Sequence, residues 1–331
     1  MRIFNGNRIT FVACSIGLAL ATQTRAATWT VDSTSADAAL SACSAAAGDC
    51  SFPGAVSRLA ATGDTIVFTV ASTLATEIAI AKDVTIEAAG ASLPRTRVST
   101  SVGWATVTFR NARWQNINSG WDFGGALSIA PRQIVTIEDS QFLFNRTGNT
   151  GRGGAILNEG NLNVVRTRFE GNYSPSGAGA IHSTNTPPAP ASTLNVTDSV
   201  FIGNGVLNPT SPSPERGQFG AIKTDGATTI RNSLFYDNDA RFGSAIQAGA
   251  LLRVYNSTFW RNTTRAATEG GALLLGGPTR IVNSTIVENS GSSSGGLYVY
   301  PASDTWIVNT LIADNQGASP EISGRVYSSG I

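Results

Sequence analysis

A short motif that recurs seven times constrains this chain more than any other feature. Each copy has an aliphatic residue, Ser or Thr three positions later, Phe or Ile two after that, and Asn three further on. The copies run Ile137-Ser140-Phe142-Asn145, Val164-Thr167-Phe169-Asn172, Val196-Ser199-Phe201-Asn204, Ile230-Ser233-Phe235-Asn238, Val254-Ser257-Phe259-Asn262, Ile281-Ser284-Ile286-Asn289 and Ile307-Thr310-Ile312-Asn315. Successive asparagines are 27, 32, 34, 24, 27 and 26 residues apart. A period of this size indicates a repeat architecture in which neighbouring units stack.

A second, glycine-rich element lies between those copies and keeps the same order throughout. It reads Gly124-Gly125-Ala126-Leu127, Gly153-Gly154-Ala155-Ile156, Gly179-Ala180-Ile181, Gly220-Ala221-Ile222, Gly243-Ser244-Ala245-Ile246, Gly270-Gly271-Ala272-Leu273 and Gly295-Gly296-Leu297. The two longest spacings contain proline-rich insertions at 184–191 and 206–218. We expect both insertions to form loops on one face of the array.

The repeats predict a stack of short strands. With 35 glycines and 13 prolines, the composition favours strands joined by tight turns over long helices. Stacked coils of this kind form a parallel β-helix, in which the aliphatic and Phe positions pile up as interior ladders. The asparagines are expected inside the turns, where their amides can bond backbone groups of adjacent coils. We predict an all-β, single-stranded parallel β-helix (solenoid) of about nine to ten coils over 64–331, clearest over 105–315.

The first 26 residues have the order of a secretory signal. Arg2 and Arg8 precede an apolar run over residues 9–21, and small residues follow up to Ala26. Cleavage is expected after Ala26 or Ala21, and a lipoprotein signal ending at Cys14 is the alternative. No stretch after residue 30 could span a bilayer. The sequence therefore predicts an exported protein that is secreted, periplasmic or on the cell surface.

The charge content excludes two classes of partner. Charged residues make up 14% of the chain, the net charge is +1, and there is no basic tract. Nucleic acids and anionic membranes are recognised by clustered Lys and Arg, so neither is an expected partner.

Residues 27–63 are expected to cap the first coil. They contain Cys43 and Cys50, the two cysteines that remain once a signal is removed. In an exported chain such a pair predicts a short-loop disulfide, and two free thiols are the alternative. The pair lacks the further Cys or His of a structural zinc site, so no metal is predicted there.

The Gly-Gly-Ala-(Ile/Leu) and Phe-x-x-Asn motifs resemble the repeats of the polymorphic outer-membrane proteins over roughly residues 105–315. Upstream, Cys50-Ser51-Phe52-Pro53-Gly54-Ala55, Gly63-Asp64-Thr65-Ile66-Val67-Phe68 and Lys82-Asp83-Val84-Thr85-Ile86 are similar to the opening of bacterial surface proteins named for a CSLREA motif. Cys50, Ser51 and Ala55 match that motif by letter. The resemblance implies a right-handed, pectin-lyase-like β-helix in a surface or secreted protein, as an adhesin-like or structural module. It implies no reaction.

The same fold class includes polysaccharide lyases and hydrolases, so residues must decide whether this chain is an enzyme. The sequence lacks the motifs of polygalacturonase-type hydrolases, and it lacks the carboxylate cluster with a nearby base that a calcium-dependent lyase needs. No cofactor is expected, and Ca²⁺ would be required only if the lyase alternative held.

The strongest catalytic candidates stand just before the asparagine in the last four coils: Asp237, Arg261, Glu288 and Asp314. Equivalent positions of stacked coils lie about 4.8 Å apart, and carboxyl pairs separated by about 5–9 Å can support glycoside acid–base chemistry. The alternative, which we favour, is an exposed ladder of alternating charge with a purely structural role.

The histidine and the aromatic residues complete the candidates. His182 follows a glycine corner and is expected to be a solvated turn residue, because a catalytic base would need a positioned partner. Alternation with Phe235 and Phe259 predicts that Tyr236 and Trp260 point outward. If Trp306 also points outward, the three rings could stack on sugars or pack on a protein. We predict a non-catalytic module that binds an extracellular glycan or protein surface. A polysaccharide lyase or glycoside hydrolase acting on an extracellular polysaccharide is the alternative.

Overall fold

The computed structural model describes residues 26–329 except 61–62, 75–76, 102, 121–123, 149, 208–214 and 267–268. The predicted signal, up to residue 25, and the middle of the second insertion lie outside the described residues.

Nearly all regular structure consists of strands of two to five residues, which follow one another in chain order. They are β1 (Thr28–Val31), β2 (Asp64–Phe68), β3 (Glu77–Ile80), β4 (Val84–Glu87), β5 (Arg95–Val98), β6 (Thr106–Arg110), β7 (Arg113–Gln115), β8 (Leu127–Ile129), β9 (Ile134–Glu138), β10 (Gln141–Leu143), β11 (Ile156–Asn158), β12 (Asn161–Val165), β13 (Arg168–Glu170), β14 (Ile181–Ser183), β15 (Thr193–Thr197), β16 (Val200–Ile202), β17 (Val206–Leu207), β18 (Glu215–Arg216), β19 (Ile222–Thr224), β20 (Ala227–Arg231), β21 (Leu234–Tyr236), β22 (Asp239–Ala240), β23 (Ile246–Ala248), β24 (Leu252–Tyr255), β25 (Thr258–Trp260), β26 (Thr263–Thr264), β27 (Leu273–Leu275), β28 (Thr279–Val282), β29 (Thr285–Val287), β30 (Leu297–Val299), β31 (Thr305–Val308), β32 (Leu311–Ala313), β33 (Ile322–Ser323) and β34 (Tyr327–Ser329).

These strands build three long parallel sheets, which a coil visits in turn. In the described residues the first sheet has twelve strands (β1-β2-β4-β6-β9-β12-β15-β20-β24-β28-β31-β34), the second has eight (β7-β10-β13-β16-β21-β25-β29-β32) and the third has ten (β3-β5-β8-β11-β14-β19-β23-β27-β30-β33). We call the bends after the first, second and third sheets the first, second and third corners. Each coil adds one strand to the third sheet, so the described chain has ten coils. The predicted right-handed parallel β-helix is confirmed.

The predicted Phe/Ile positions form one ladder inside the second sheet. Register pairs Phe142 with Phe169 and carries the column through to Ile312. The five phenylalanine rings are fully buried, and adjacent rings stack with centroids 4.6 to 4.9 Å apart. The structure adds a member that the motif missed, because Trp114 stacks on Phe142 at 4.5 Å. The aromatic ladder is the main apolar contribution of the second sheet to the core.

The Ser/Thr position of the motif has a structural role at the first corner. The hydroxyl of Ser233 accepts the backbone N–H of Ser199 in the preceding coil at 3.2 Å and donates to the carbonyl of Arg231 at 2.7 Å. The same pair of bonds recurs at Ser199, Ser257 and Ser284. A hydroxyl is needed there because the bend leaves one buried N–H without a partner in a strand.

The asparagines form a hydrogen-bonded ladder at the second corner, as the sequence predicts. The Asn204 side-chain oxygen accepts the backbone N–H of Asn172 at 3.1 Å, and its Nδ2 donates to the Phe169 carbonyl at 3.1 Å and to Asn238 Oδ1 at 3.0 Å. The last asparagine, Asn315, donates to the carboxylate of Glu321, which stands where the next asparagine would be. The ladder therefore satisfies the buried polar atoms of each bend from one end to the other.

The two insertions leave the solenoid at different corners, so the prediction of a single face is wrong. Residues 184–191 follow β14 at the third corner, whereas 206–218 follow Asn204 at the second corner. The reason is their order relative to the glycine-rich element: the first insertion comes after that element and the second comes before it.

The N-terminal segment is fastened to the first coil. Strand β1 pairs with β2, and helix α1 (Phe52–Arg58), capped by the Ser51 hydroxyl, buries Phe52 against Phe68 with ring centroids 5.0 Å apart. The Asp64 carboxylate accepts the backbone N–H groups of Ala27 at 2.8 Å and Ala60 at 2.9 Å. In the described part of the chain, no helix has the length and apolar content to cross a membrane.

A disulfide joins Cys43 and Cys50, whose Cα atoms are 4.4 Å apart, and closes a short loop before α1. We expect non-reducing peptide mapping of the purified protein to recover the two cysteines in cross-linked peptides. Replacing both with serine should lower the free energy of unfolding by about 2 kcal/mol, because closing a short loop restricts the unfolded chain. Recovery of both as alkylatable thiols after native purification would contradict this.

Candidate functional site

The four charged candidates share one position at the second corner, as the register predicts. Asp237, Arg261, Glu288 and Asp314 all have left-handed backbone, with φ between 52° and 57°. The same conformation is adopted at the equivalent position of earlier coils, by Phe144, Gly171 and Gly203. Left-handed backbone is uncommon for Arg, Glu and Phe, and strained residues often mark functional sites. Here, however, the turn imposes this conformation in every coil, so the strain is a property of the bend.

An exposed cluster joins this column to the aromatic residues of the second sheet. Register pairs Tyr236 with Trp260, and the two outward rings stack with centroids 4.8 Å apart at 25°. The guanidinium of Arg261 lies 5.9 Å from both ring centroids, within the range of a cation–π contact. We call Tyr236, Asp237, Trp260, Arg261 and Glu288 the corner cluster.

The carboxylates of the corner cluster have partners inside it. Asp237 lies 3.5 Å from the Arg261 Nε, and Glu288 accepts the Trp260 indole N–H at 2.9 Å. A hydrogen bond to Asp237, together with its negative charge, raises the pKa of the Tyr236 hydroxyl, which stays protonated at neutral pH. These contacts fix the orientation of the indole ring.

A shallow groove runs beside the column, parallel to the solenoid axis. It has a volume of about 530 Å³, and Thr263, Ser290 and Gln316, each two residues past a column member, form its other wall. The groove is open to solvent and mostly polar, so it can accept an extended polar chain more readily than it can enclose a small molecule. Within the described residues, no group of three or more His, Cys, Asp or Glu side chains could hold a metal ion.

The structure separates the aromatic candidates. Trp306 lies on the outer face of the first sheet, where it stacks on Tyr327 with centroids 4.5 Å apart, and does not join Tyr236 and Trp260 on the second sheet. Strand alternation correctly predicted that Tyr236 and Trp260 point outward. Trp306 is also outward, and it is 53% exposed against 36% for Trp260. Strand alternation could not predict the shared surface, because that depends on which sheet each strand joins.

His182 is buried, so the prediction of a solvated turn residue is wrong. It lies in β14 on the outer side of the third sheet, yet it is only 2% exposed. The loops of the second corner fold back over it: a Cβ added to Gly177 would lie 2.8 Å from its Nδ1 and 3.0 Å from the Arg152 Cα. Neither ring nitrogen has a hydrogen-bond partner among the residues that the structure describes. Burial, with Lys223 and Arg152 nearby, lowers the pKa of His182 to about 3.

His182 is therefore neutral at physiological pH and lacks the positioned partner that a general base needs. Its register neighbours on β11 and β19 are Leu157 and Lys223. The signal that sequence reasoning missed is the loss of polar alternation in these short strands, since Ile156-Leu157 and Leu273-Leu274-Leu275 also place buried apolar side chains on the outer side.

Sequence reasoning also missed three arginines on the outer face of the first sheet. Arg231, Arg253 and Arg280 are exposed and alternate with fully buried core residues such as Val254 and Ile281. The alternation in Leu252-Arg253-Val254 and Thr279-Arg280-Ile281 could have revealed them as outward residues.

No protein-family model, curated protein or solved structure matches this chain.

Proposed function

We propose that this protein is a non-catalytic, exported β-helix module that binds an extracellular glycan or protein through the corner cluster. The observation that carries the proposal is the outward stack of Tyr236 on Trp260, which Arg261 flanks and in which Glu288 accepts the Trp260 indole N–H. A rigid aromatic surface bordered by charged groups suits the apolar face and the hydroxyls of a sugar, or an anchor residue of a protein partner. The groove beside it runs along several coils, which favours an extended ligand.

Two features favour binding over catalysis. The strained backbone of the column occurs in coils that carry Phe or Gly at the same position, so it does not mark a reactive group. The charged groups beside the two insertions are also paired with each other: Arg216 lies 3.1 Å from Asp239, and Lys223 contacts Asp225. Neither arrangement leaves a carboxylate and a base converging on an open cleft, as a lyase would require.

The resemblance to polymorphic outer-membrane proteins and to CSLREA-type surface proteins supports the same proposal. The glycine-rich and Phe-x-x-Asn elements that carry the resemblance are the corner and core elements of the coils. The signal-like N-terminal residues and the Cys43–Cys50 disulfide support an exported location, at the cell surface, in the periplasm or secreted. A pectin-lyase-like evolutionary origin belongs to the same proposal.

The test is a binding screen of the mature protein against arrays of neutral and charged glycans and of extracellular matrix proteins. We expect Trp260→Ala to weaken binding of the best ligand about tenfold, because an exposed aromatic anchor is lost. Trp104→Ala is the matched control, since Trp104 is 69% exposed and lies outside the cluster. Equal losses in the two variants, or none in either, would reject the corner cluster as the site.

The carboxylates provide a separate prediction that tests the enzyme alternative. Because Asp237 and Glu288 are partly solvent-exposed, Asp237→Asn and Glu288→Gln should each change the free energy of unfolding by less than about 1 kcal/mol. Binding should be retained, since the side-chain amide introduced by Glu288→Gln would still offer an oxygen to the Trp260 indole. A general acid or base would behave differently, with a loss of about a hundredfold or more in turnover. If the wild type cleaves a polysaccharide and either variant loses this activity with unchanged melting temperature, the protein is a lyase or hydrolase instead.

A further inference from the structure

A second surface on this protein has the composition of a binding site, and it lies on a different sheet. In the last rungs of the first sheet, register aligns Arg253, Arg280, Trp306 and Tyr327 in one outward column. Beside it, Arg231 pairs with Tyr255 in the next outward column. We call these six residues the arginine–aromatic face.

The arginines of this face form a patch of positive charge. Arg253 and Arg280 are direct cross-strand neighbours, an arrangement that like charges disfavour. Among the residues that the structure describes, neither they nor Arg231 forms an ion pair. At the same end of the sheet, a hydrogen bond to Tyr327 and, less strongly, the negative charge of Asp304 raise the pKa of Arg325.

The N-terminal half of the same sheet shows the contrasting arrangement. There Arg110 lies between two carboxylates, Glu87 at 2.9 Å and Glu138 at 2.7 Å. In the column of Arg253 and Arg280, the equivalent residues of earlier coils include Thr136 and Asn195. The fold therefore does not require arginine at these positions, and the adjacent charges need another explanation.

Aromatic rings lie among the guanidinium groups. Trp306 is 53% exposed and stacks on Tyr327, while the guanidinium of Arg231 lies 4.2 Å from the Tyr255 ring centroid. A second cation, Arg325, lies 5.0 Å from the Tyr327 ring centroid. The stacked guanidinium groups of Arg231 and Arg325 therefore present their N–H donors sideways in fixed directions, which suits bidentate binding of an anionic group at the edge of the face.

We propose that the arginine–aromatic face binds a linear polysaccharide that carries carboxylate or sulfate groups, laid along the solenoid axis. The guanidinium groups of Arg253 and Arg280 pair with successive anionic groups, and the Trp306 ring contacts the apolar face of a sugar. The chain has a net charge of only +1 and no basic tract, so a short anionic segment is the expected ligand and a long polynucleotide is not. The proposal does not use Tyr236 or Trp260, so it can be tested independently of the corner cluster.

The test is isothermal titration calorimetry of the purified protein at low ionic strength with polygalacturonate, heparin and neutral dextran. We expect binding of polygalacturonate, heparin or both, and dextran binding at least about tenfold weaker, since charge-assisted bonds supply most of the affinity. Binding of polygalacturonate would show that carboxylate groups are sufficient. Binding of heparin alone would assign recognition to its sulfate groups, because heparin carries carboxylates as well. Added salt should weaken the interaction, because ions screen exposed charges.

Variants decide whether this face is responsible. The double variant Arg253→Gln/Arg280→Gln and the single variant Trp306→Ala should each bind at least about tenfold more weakly, with unchanged melting. The charge-matched control is Arg166→Gln/Arg168→Gln, which removes two exposed arginines from the second sheet and the corner before it. Three results would overturn the proposal: no binding of either anionic glycan by the wild type, full binding by the Arg253→Gln/Arg280→Gln variant, or tighter binding of single-stranded DNA than of both glycans. Trp104→Ala should bind the anionic glycan normally, because Trp104 is 69% exposed and belongs to neither surface. The Arg253→Gln/Arg280→Gln variant leaves Tyr236 and Trp260 in place, which keeps failure here distinct from failure of the corner cluster.

Discussion

Replacing Phe201 with alanine is expected to lower the free energy of unfolding by about 3 to 5 kcal/mol, among the largest effects of any single substitution in this protein. The ring is fully buried and lies between Phe169 and Phe235, with centroid distances of 4.7 and 4.6 Å. Truncation would leave a cavity that rigid coils above and below cannot fill, since both are held by sheet hydrogen bonds and by the asparagine ladder. Urea denaturation followed by circular dichroism measures the change.

Ile202→Ala is the matched control, because Ile202 follows Phe201 in β16 but points outward and is only partly buried. Its cost should stay below about 1.5 kcal/mol, as less apolar area is removed from contact. Near-wild-type stability of Phe201→Ala would contradict the assignment of this residue to the interior ladder.

Acidification is expected to destabilise the protein through His182. The pKa of His182 is about 3 in the folded protein and about 6.5 in an unfolded chain. Between these values the unfolded state binds a proton that the folded state rejects, so stability falls as pH decreases below 6.5 and levels off below 3. Above pH 6.5 His182 is neutral in both the folded and the unfolded state, so it no longer lowers the free energy of unfolding. At pH 4 the loss amounts to about 3 kcal/mol, since each pH unit in this window is worth about 1.4 kcal/mol.

His182→Leu separates this effect from the titration of carboxylates, because the chain has a single histidine and the preceding rung already carries Leu157 at the equivalent position. The variant should lose about 3 kcal/mol less than the wild type between pH 7 and pH 4, measured by urea denaturation at each pH. If the free energy of unfolding falls with decreasing pH by the same amount in both proteins, His182 is protonated in the folded state and is therefore accessible to water.

The sequence predicted those elements that repeat, because each repeated residue makes the same packing or hydrogen-bond contacts in every coil. Phe201 and Asn204 could be assigned to a core ladder and a corner ladder from their spacing alone. Trp114 was missed because Ile117 replaces the asparagine that identifies a copy, although its backbone N–H still bonds to Asn145. The sequence therefore revealed a rung of the aromatic ladder only in coils that carry both the Phe or Ile and the Asn of the motif.

Features that depend on contacts between different parts of a coil could not be predicted. The burial of His182 results from loops around Arg152 and Gly177 that fold over the third sheet, and no local pattern in β14 encodes that cover. The grouping of Trp260 with Tyr236, but not with Trp306, likewise depends on sheet membership. Alternation within a strand indicates whether a side chain points inward or outward, and it says nothing about which neighbours share its surface.

The asparagine ladder has a consequence for how such a protein can change over generations. Each asparagine makes the same bonds to the rung before and the rung after, whether 24 residues or 34 separate it from the next. Duplication or loss of one whole coil would rejoin asparagine to asparagine and leave no amide stranded in the interior. The solenoid can therefore lengthen or shorten in steps of about 4.8 Å. Each step changes the distance between surfaces on separate coils and leaves the structure of every bend unchanged.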